Sequence, residues 1–326
     1  MPGPRVAAFN LPLAATVVSW GFNFVALKIL LAHVTPAALV LTRSLAMYLC
    51  LLAICRVRSV PLKVGRGDGL RIGFLGFLMM GLYLVVFFEG LKLTTVAEGS
   101  ITLATATIFT GLFAAFAGQE RLTLRWLLGA GVAFGGVAIV QLAGAQAGHG
   151  RLIGNLLVLG SAALWALSTV AARSLLKRYD PVQLLTLAMP GAFVAAIPYG
   201  LAPALAVNWA QLSLTDWLLF IYVAAGAGAL GFVGFSAGVQ ALGAGRAMLY
   251  QYFVPPLAVV FGWLCIGSTM TLTQGLGMAL TLAGVALAMG RRDAAQGIGE
   301  PPSKVNSGSF EEDRARLAQA RTETTG

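Results

Sequence analysis

Along this chain apolar residues come in long uninterrupted runs, and polar residues gather in short clusters between them. Ten runs stand out, at about 11–33, 36–55, 71–91, 94–117, 123–142, 153–176, 181–201, 214–238, 245–266 and 271–290. Each is close to the ~20 residues an α-helix needs to cross ~30 Å of hydrocarbon. The breaks carry turn chemistry or charge: His33 to Pro36, "RVRSVPLKVGRGDGLR" at 56–71, "GQERLT" at 118–123, "AGAQAGHGR" at 143–151 and "KRYDP" at 177–181. The pattern predicts an all-α integral membrane protein of ten transmembrane helices. The first run is too long for a signal-peptide core and lacks a small-residue cleavage site, so it is expected to stay as a membrane helix.

Composition agrees. Hydrophobic residues make up 58% of the 326, charged ones only 10%, and a water-soluble fold of that size needs a far more charged surface. Cys50, Cys55 and Cys265 sit in apolar runs and read as small hydrophobes rather than a disulfide framework. The net charge of +10 suggests nucleic acid only until it is located. Residues 1–290 hold 16 Lys+Arg against 6 Asp+Glu, whereas 291–326 hold 6 of each. The excess lies in the short loops, where it sets topology. With the N-terminus cytoplasmic, thirteen Lys/Arg fall on inner segments and only Lys92 and Arg151 on outer ones. That predicts N-in and C-in, and no nucleic-acid partner. Residues 1–10 and 291–326 become cytoplasmic ends. The latter, polar apart from an S-x-x-E capping box at Ser309 and Glu312, is expected to be a disordered tail.

The chain also repeats itself. "WGFNFVALKILLAHVTP" (20–36) aligns with "WALSTVAARSLLKRYDP" (165–181) at an offset of 145, matching Trp20 to Trp165, Lys28 to Arg173 and Pro36 to Pro181. "LTLRWLLGAGVAFGGVAI" (122–139) aligns with "MTLTQGLGMALTLAGVAL" (270–287) at 148, pairing Gly129 with Gly277 and Gly136 with Gly284. Two five-helix units, 11–142 and 153–290 with an external linker at 143–152, follow. Five is odd, so the second copy enters the membrane from the other side. Inverted repeats of this kind typify secondary transporters, which expose a central site alternately to the two sides.

The residues that carry these features resemble a known family. "WGFNFVALK" is similar to the opening of the drug/metabolite transporter superfamily, in its ten-helix EamA-type branch. "TTVAEGSITLATATIFTGLFAAFAGQERLT" resembles that family's fourth helix, and "YQYFVPPLAVVFGW" (250–263) its ninth. The fourth helix usually carries a proline where this chain has Thr107 or Ile108, which removes the usual cause of unwinding. Ser268 stands where the second repeat would match Glu120. The resemblance implies a multi-pass exporter of small organic metabolites, such as amino acids, in the cytoplasmic (inner) membrane, with no cofactor. Exchange of sugar phosphates or nucleotide sugars is an alternative it also implies, with Lys28, Arg43, Arg173 or Arg246 as basic groups; drug efflux is another. A membrane-embedded enzyme is disfavoured, because no nucleophile–base set or metal-ligand spacing appears in the helices; His33 and His149 are the only histidines.

Candidate site residues follow from helical faces. Thr16, Trp20, Asn23 and Leu27 share one face of helix 1. Asn23 serves either as an interhelical hydrogen bond or as a cavity wall. Repeat symmetry brings Trp20, Asn23, Glu98, Thr102, Trp165, Ser168, Tyr250 and Gln251 toward one pseudo-twofold axis as a substrate-binding set, with Trp20, Asn23, Trp165 and Ser168 near mid-helix. Lys28, Arg43, Glu89 and Glu98 lie at similar depth toward the outer ends of four consecutive helices. They are expected to pair as a charge cluster, with Glu89 or Glu98 as the carrier of any coupled proton. "GAGALG" (226–231) has no strand before it and reads as close helix packing. Gly131 and Gly135, matched by Ala279 and Ala283, form small faces expected to join the two repeats, or two protomers in a homodimer.

Overall fold

The computed structural model describes residues 10–118, 123–146 and 149–289. The 291–326 tail and the "GERL"-like turn after Gly118 therefore lie outside the described residues. Within them the chain runs as helical rods: α1 (Leu11–His33), α2 (Pro36–Val57), α3 (Gly69–Leu93), α4 (Val96–Phe116), α5 (Leu124–Gln146), α6 (His149–Leu175), α7 (Pro181–Ala206), α8 (Leu214–Leu242), α9 (Ala244–Ile266) and α10 (Leu272–Met289). Eight are long and apolar enough to cross a membrane; α5 and α10 add shorter apolar stretches at Leu124–Val140 and Leu272–Ala288. Their ends fall within a few residues of the breaks in the hydrophobic pattern.

Helix starts are written in local chemistry. The Asn10 side chain accepts from Leu13 N with proline following it, Thr35 caps α2 before Pro36, and Asp180 caps α7 before Pro181. Proline suits a first turn, where its missing N–H has no helical partner. At α8, Ser213 and Asp216 form a reciprocal capping box.

Four rods are irregular inside. Helix α3 widens into a π turn at Phe77–Leu82, and α8 into another at Tyr222–Leu230. Helix α9 tightens to a 3-10 turn at Gln251–Phe253, just ahead of Pro255 and Pro256, which supply no backbone donors. Helix α4 breaks between Leu103 and Ala106 with no proline present, contrary to what Thr107 and Ile108 imply. Threonine takes proline's part here: Thr105 Oγ1 donates to Thr102 O at 2.7 Å, a local bond that competes with the helix ladder.

Glycine sets the closest contacts. Helices α5 and α10 cross where a Cβ on Gly284 would stand 2.2 Å from Ala133 N, and one on Gly129 2.3 Å from Ala288 N. Gly136 and Gly277 meet the same way. Gly131 and Gly135 do not take part: they face outward with open space around them, so the expected pairing through these two is corrected to Gly129 and Gly136. The offset-148 alignment had already matched the correct glycines. Gly284→Val is therefore expected to lower thermal stability in detergent by ~1–3 kcal/mol or more, because backbone would have to move. Gly131→Val should stay within about 0.5 kcal/mol of the parent. Equal melting shifts for the two variants would refute this contact.

Candidate functional site

A cavity lies where α1, α2, α3, α4, α6, α8 and α9 converge. Seven of its fifteen lining residues are aromatic: Trp20 and Phe24 from α1, Tyr83, Phe87 and Phe88 from α3, Trp165 from α6 and Phe232 from α8. The rings interlock. Trp20 and Trp165 meet edge to face with centroids 5.6 Å apart, Trp165 packs on Tyr83 at 5.2 Å, and Phe232 touches both tryptophans. Such pairs add about 0.5–1.5 kcal/mol beyond area burial and hold the wall in shape. Water centres can reach only about 40 Å³ of it, room for roughly three waters. In this conformation the cavity is narrow.

The polar groups in it are few. Arg43, 2% exposed, donates from Nε to Val223 O at 2.9 Å and lies 5.6 Å over the Phe88 ring, while its Nη1 has no partner. Asn23 Oδ1 and Gln251 Nε2 are likewise buried and unpartnered. The π turn of α8 serves this wall twice, since Val223 O meets Arg43 and Ala227 O accepts from Trp20 Nε1 at 3.0 Å. Gln251 reaches the cavity from the 3-10 turn of α9, and Ala104 from the break in α4. Helix irregularities of this kind frequently mark functional sites.

Four of the eight expected binding residues thus meet here: Trp20, Asn23, Trp165 and Gln251. The other four do other work. Ser168 Oγ donates back to Trp165 O at 2.8 Å, and Tyr250 OH accepts from Asn10 N at 3.2 Å, tying α9 to the start of α1. Thr102 is buried but does not line the cavity. Glu98 is fully buried elsewhere: Arg151 grips it in fork fashion (Nη2 to Oε1 2.7 Å, Nε to Oε2 3.1 Å), and Asn155 and Gln274 donate to it at 3.0 and 2.7 Å. Thr94 Oγ1 bridges Glu98 and Asn155. One carboxylate so fastens α4, α6 and α10.

Each member of the expected charge cluster has protein partners of its own, although Lys28 lies close enough to Glu98 and Arg151 to feel both charges. Lys28 Nζ donates to Leu91 O, Lys92 O and Thr94 O, the orphan carbonyls at the end of α3. A cation at a helix C-terminus satisfies carbonyls and complements the dipole. Its repeat counterpart Arg173 stands against the C-terminal cap of α8, with Nη2 4.0 Å from where a Cβ on Gly243 would be. Glu89 accepts from Tyr199 OH on α7. Arg43 turns to the cavity. Position along the sequence does not show which way each group turns around its helix axis. The missed wall residues Tyr83 and Phe87 are four apart on α3, a one-face aromatic pair that the pattern contained.

Two comparisons bear on the chain as a whole. A solved crystal structure superposes with a TM-score of 0.60 at 21% identity, covering 86% of this chain and 95% of its own, and shares the fold. The model of the EamA-like transporter family matches twice, at residues 10–142 and 152–290. The chain belongs to the EamA-like transporter family. This transporter is 30% identical over 288 residues to a protein of Streptantibioticus cattleyicolor named a probable terminal-alkyne amino-acid exporter, covering 86% of this chain and 94% of that one. It is 26% identical over 277 residues to a probable amino-acid metabolite efflux pump of Salmonella typhimurium, covering 82% and 90%. As an EamA-type member of the drug/metabolite transporter superfamily, it is a multi-pass membrane protein of the metabolite-efflux kind.

In this transporter Glu98 has the geometry of a fastening rather than of a substrate ligand. Glu98→Ala is expected to lower stability by about 3–5 kcal/mol, the usual consequence of breaking a buried ion pair. Glu98→Ala with Arg151→Ala should lose less than the sum of the single changes. Binding measured on the folded fraction should be unchanged, and a selective loss of ligand affinity at full stability would return Glu98 to the site.

Proposed function

We propose that this protein exports small organic metabolites, amino acids foremost, by alternating access. Its ten helices would cross the inner membrane as two inverted five-helix repeats, with both chain ends cytoplasmic. The names of the two relatives support the cargo, and the double family match supports the repeat. So does the placing of the irregular turns. The π turns of α3 and α8 are 145–148 residues apart, as are the interruptions of α4 and α9.

One observation carries the mechanism. His33, at the end of α1, pairs with Asp216 in the first turn of α8 (Nδ1 to Oδ1 2.8 Å). Arg178, after α6, pairs with Asp68 at the N-terminus of α3 (Nη2 to Oδ1 2.7 Å). Positions 33 and 178 differ by the offset 145, and 68 and 216 by 148. They are the same contact made twice, each joining one repeat to the other. The 22 residues of α2 separate Thr35 from Arg58, so the pairs lie at opposite ends of the bundle. Both pairs are formed in this structure, one on either side of a narrow cavity. In each pair the aspartate is buried while the base is half exposed, 53% for His33 and 50% for Arg178. Pairs with an exposed partner contribute about 0–1 kcal/mol, weak enough for either end to open.

The test is reversible locking in proteoliposomes. A His33→Cys/Asp216→Cys pair and an Asp68→Cys/Arg178→Cys pair, each oxidised to a disulfide, should each reduce counterflow of a labelled amino acid at least tenfold. Reductant should restore it. Undiminished flux with either end cross-linked would rule out alternating access at these ends.

A further inference from the structure

We infer that Arg43 is the anchor for a carboxylate on the transported solute, with the Gln251 and Asn23 amides completing a polar corner of an otherwise aromatic site. The assignment rests on the export reading and adds the chemistry of the cargo.

The charge comes first. Arginine stays protonated in proteins. Arg43 is 98% buried in an apolar wall and, among the described residues, no carboxylate pairs with it. The lining of the cavity contains no Asp or Glu. Val223 O takes the Nε edge of the guanidinium and the Phe88 ring one of its faces, but Nη1 of this cavity-lining residue has no partner. A buried charge without a counter-ion is costly, and such groups inside membrane helices mark ligand pathways. Contrast Lys28, Arg151 and Arg178, whose acceptors all belong to the protein.

The neighbours fit the same solute. Gln251 and Asn23 each bring an amide with one buried, unpartnered polar atom to the same cavity. An amide can donate to a carboxylate oxygen or accept from an ammonium. The faces of Trp20, Trp165 and Tyr83 suit an apolar body and a cation alike. One guanidinium neutralises one negative charge. A phosphate dianion would keep an uncompensated charge in this aromatic box, so the site favours a monocarboxylate over a phosphorylated sugar.

The probes share one phenyl body: L-phenylalanine, 3-phenylpropionate, phenethylamine and phenyl phosphate, titrated against purified protein by tryptophan fluorescence, with Trp20 and Trp165 in the cavity wall as reporters. The two carboxylates should bind at least tenfold more tightly than phenethylamine and phenyl phosphate. Arg43→Gln should abolish that preference, while phenethylamine, relieved of a like charge in the cavity, should bind at least as tightly as before. Gln251→Leu leaves the Arg43 contacts intact and should weaken only the carboxylates, several-fold, so the inference survives even a failure of Arg43→Gln to fold. Equal affinity for all four, tighter binding of phenyl phosphate, or preserved preference in both variants would overturn it. Silence toward all four would also overturn it, while export itself would stand or fall separately on flux of other solutes in proteoliposomes.

Discussion

Inside hydrocarbon no water completes a helix end or solvates a charge, so each polar group kept there must be satisfied by the protein itself. That constraint sorts the charged residues of this bundle better than their spacing does. Lys28 is spent on three carbonyls at the end of α3. Glu98 is saturated by Arg151, Asn155 and Gln274. Asp68 and Asp216 are each covered, by Arg178 with Tyr179 and by His33 with Ser213. After these assignments Arg43 remains with an open donor, beside two amides in the same state. A site is recognisable here by what the fold leaves incomplete.

The cavity owes its position to the interruptions of four helices. A regular α-helix commits one lone pair of each interior carbonyl to its own ladder, which leaves less for side chains of its neighbours. The π turn of α8 presents Val223 O and Ala227 O sideways, and these orient Arg43 and Trp20. The 3-10 turn of α9 and the break in α4 bring Gln251 and Ala104 to the lining. Stiff aromatic contacts then fix the wall, so the polar corner is held in place without a network of its own.

Much of this architecture was legible from hydrophobic run length, because the bilayer imposes length on helices directly. Helical faces combined with the internal repeat place Trp20, Asn23, Trp165 and Gln251 together, and these four share the lining of one cavity. The failures share a cause. Glu98, Ser168 and Tyr250 have the right faces or depths, yet each has a nearer partner, Arg151, Trp165 O and Asn10 N respectively. Depth along an axis can be counted from sequence, whereas competition between partners depends on the azimuth and packing of several helices at once. The break in α4 was hidden for a related reason: a threonine hydroxyl substitutes for the proline that ordinarily announces it.

Magnitudes separate the contacts that can open from those that cannot. Breaking the Glu98–Arg151 pair, whose carboxylate is fully buried, costs about 3–5 kcal/mol by the general behaviour of buried pairs. Because Arg151 retains 29% exposure, part of that cost is recovered through hydration of its head. Glu98 has no such recourse at 0%, and three further hydrogen-bonding groups surround it. The end pairs differ, since His33 and Arg178 are half in water before any opening occurs. Water replaces their partners at little expense, and salt screens them further. The proposed alternating access needs this hierarchy: the buried carboxylate would keep α4, α6 and α10 together while the end pairs yield first.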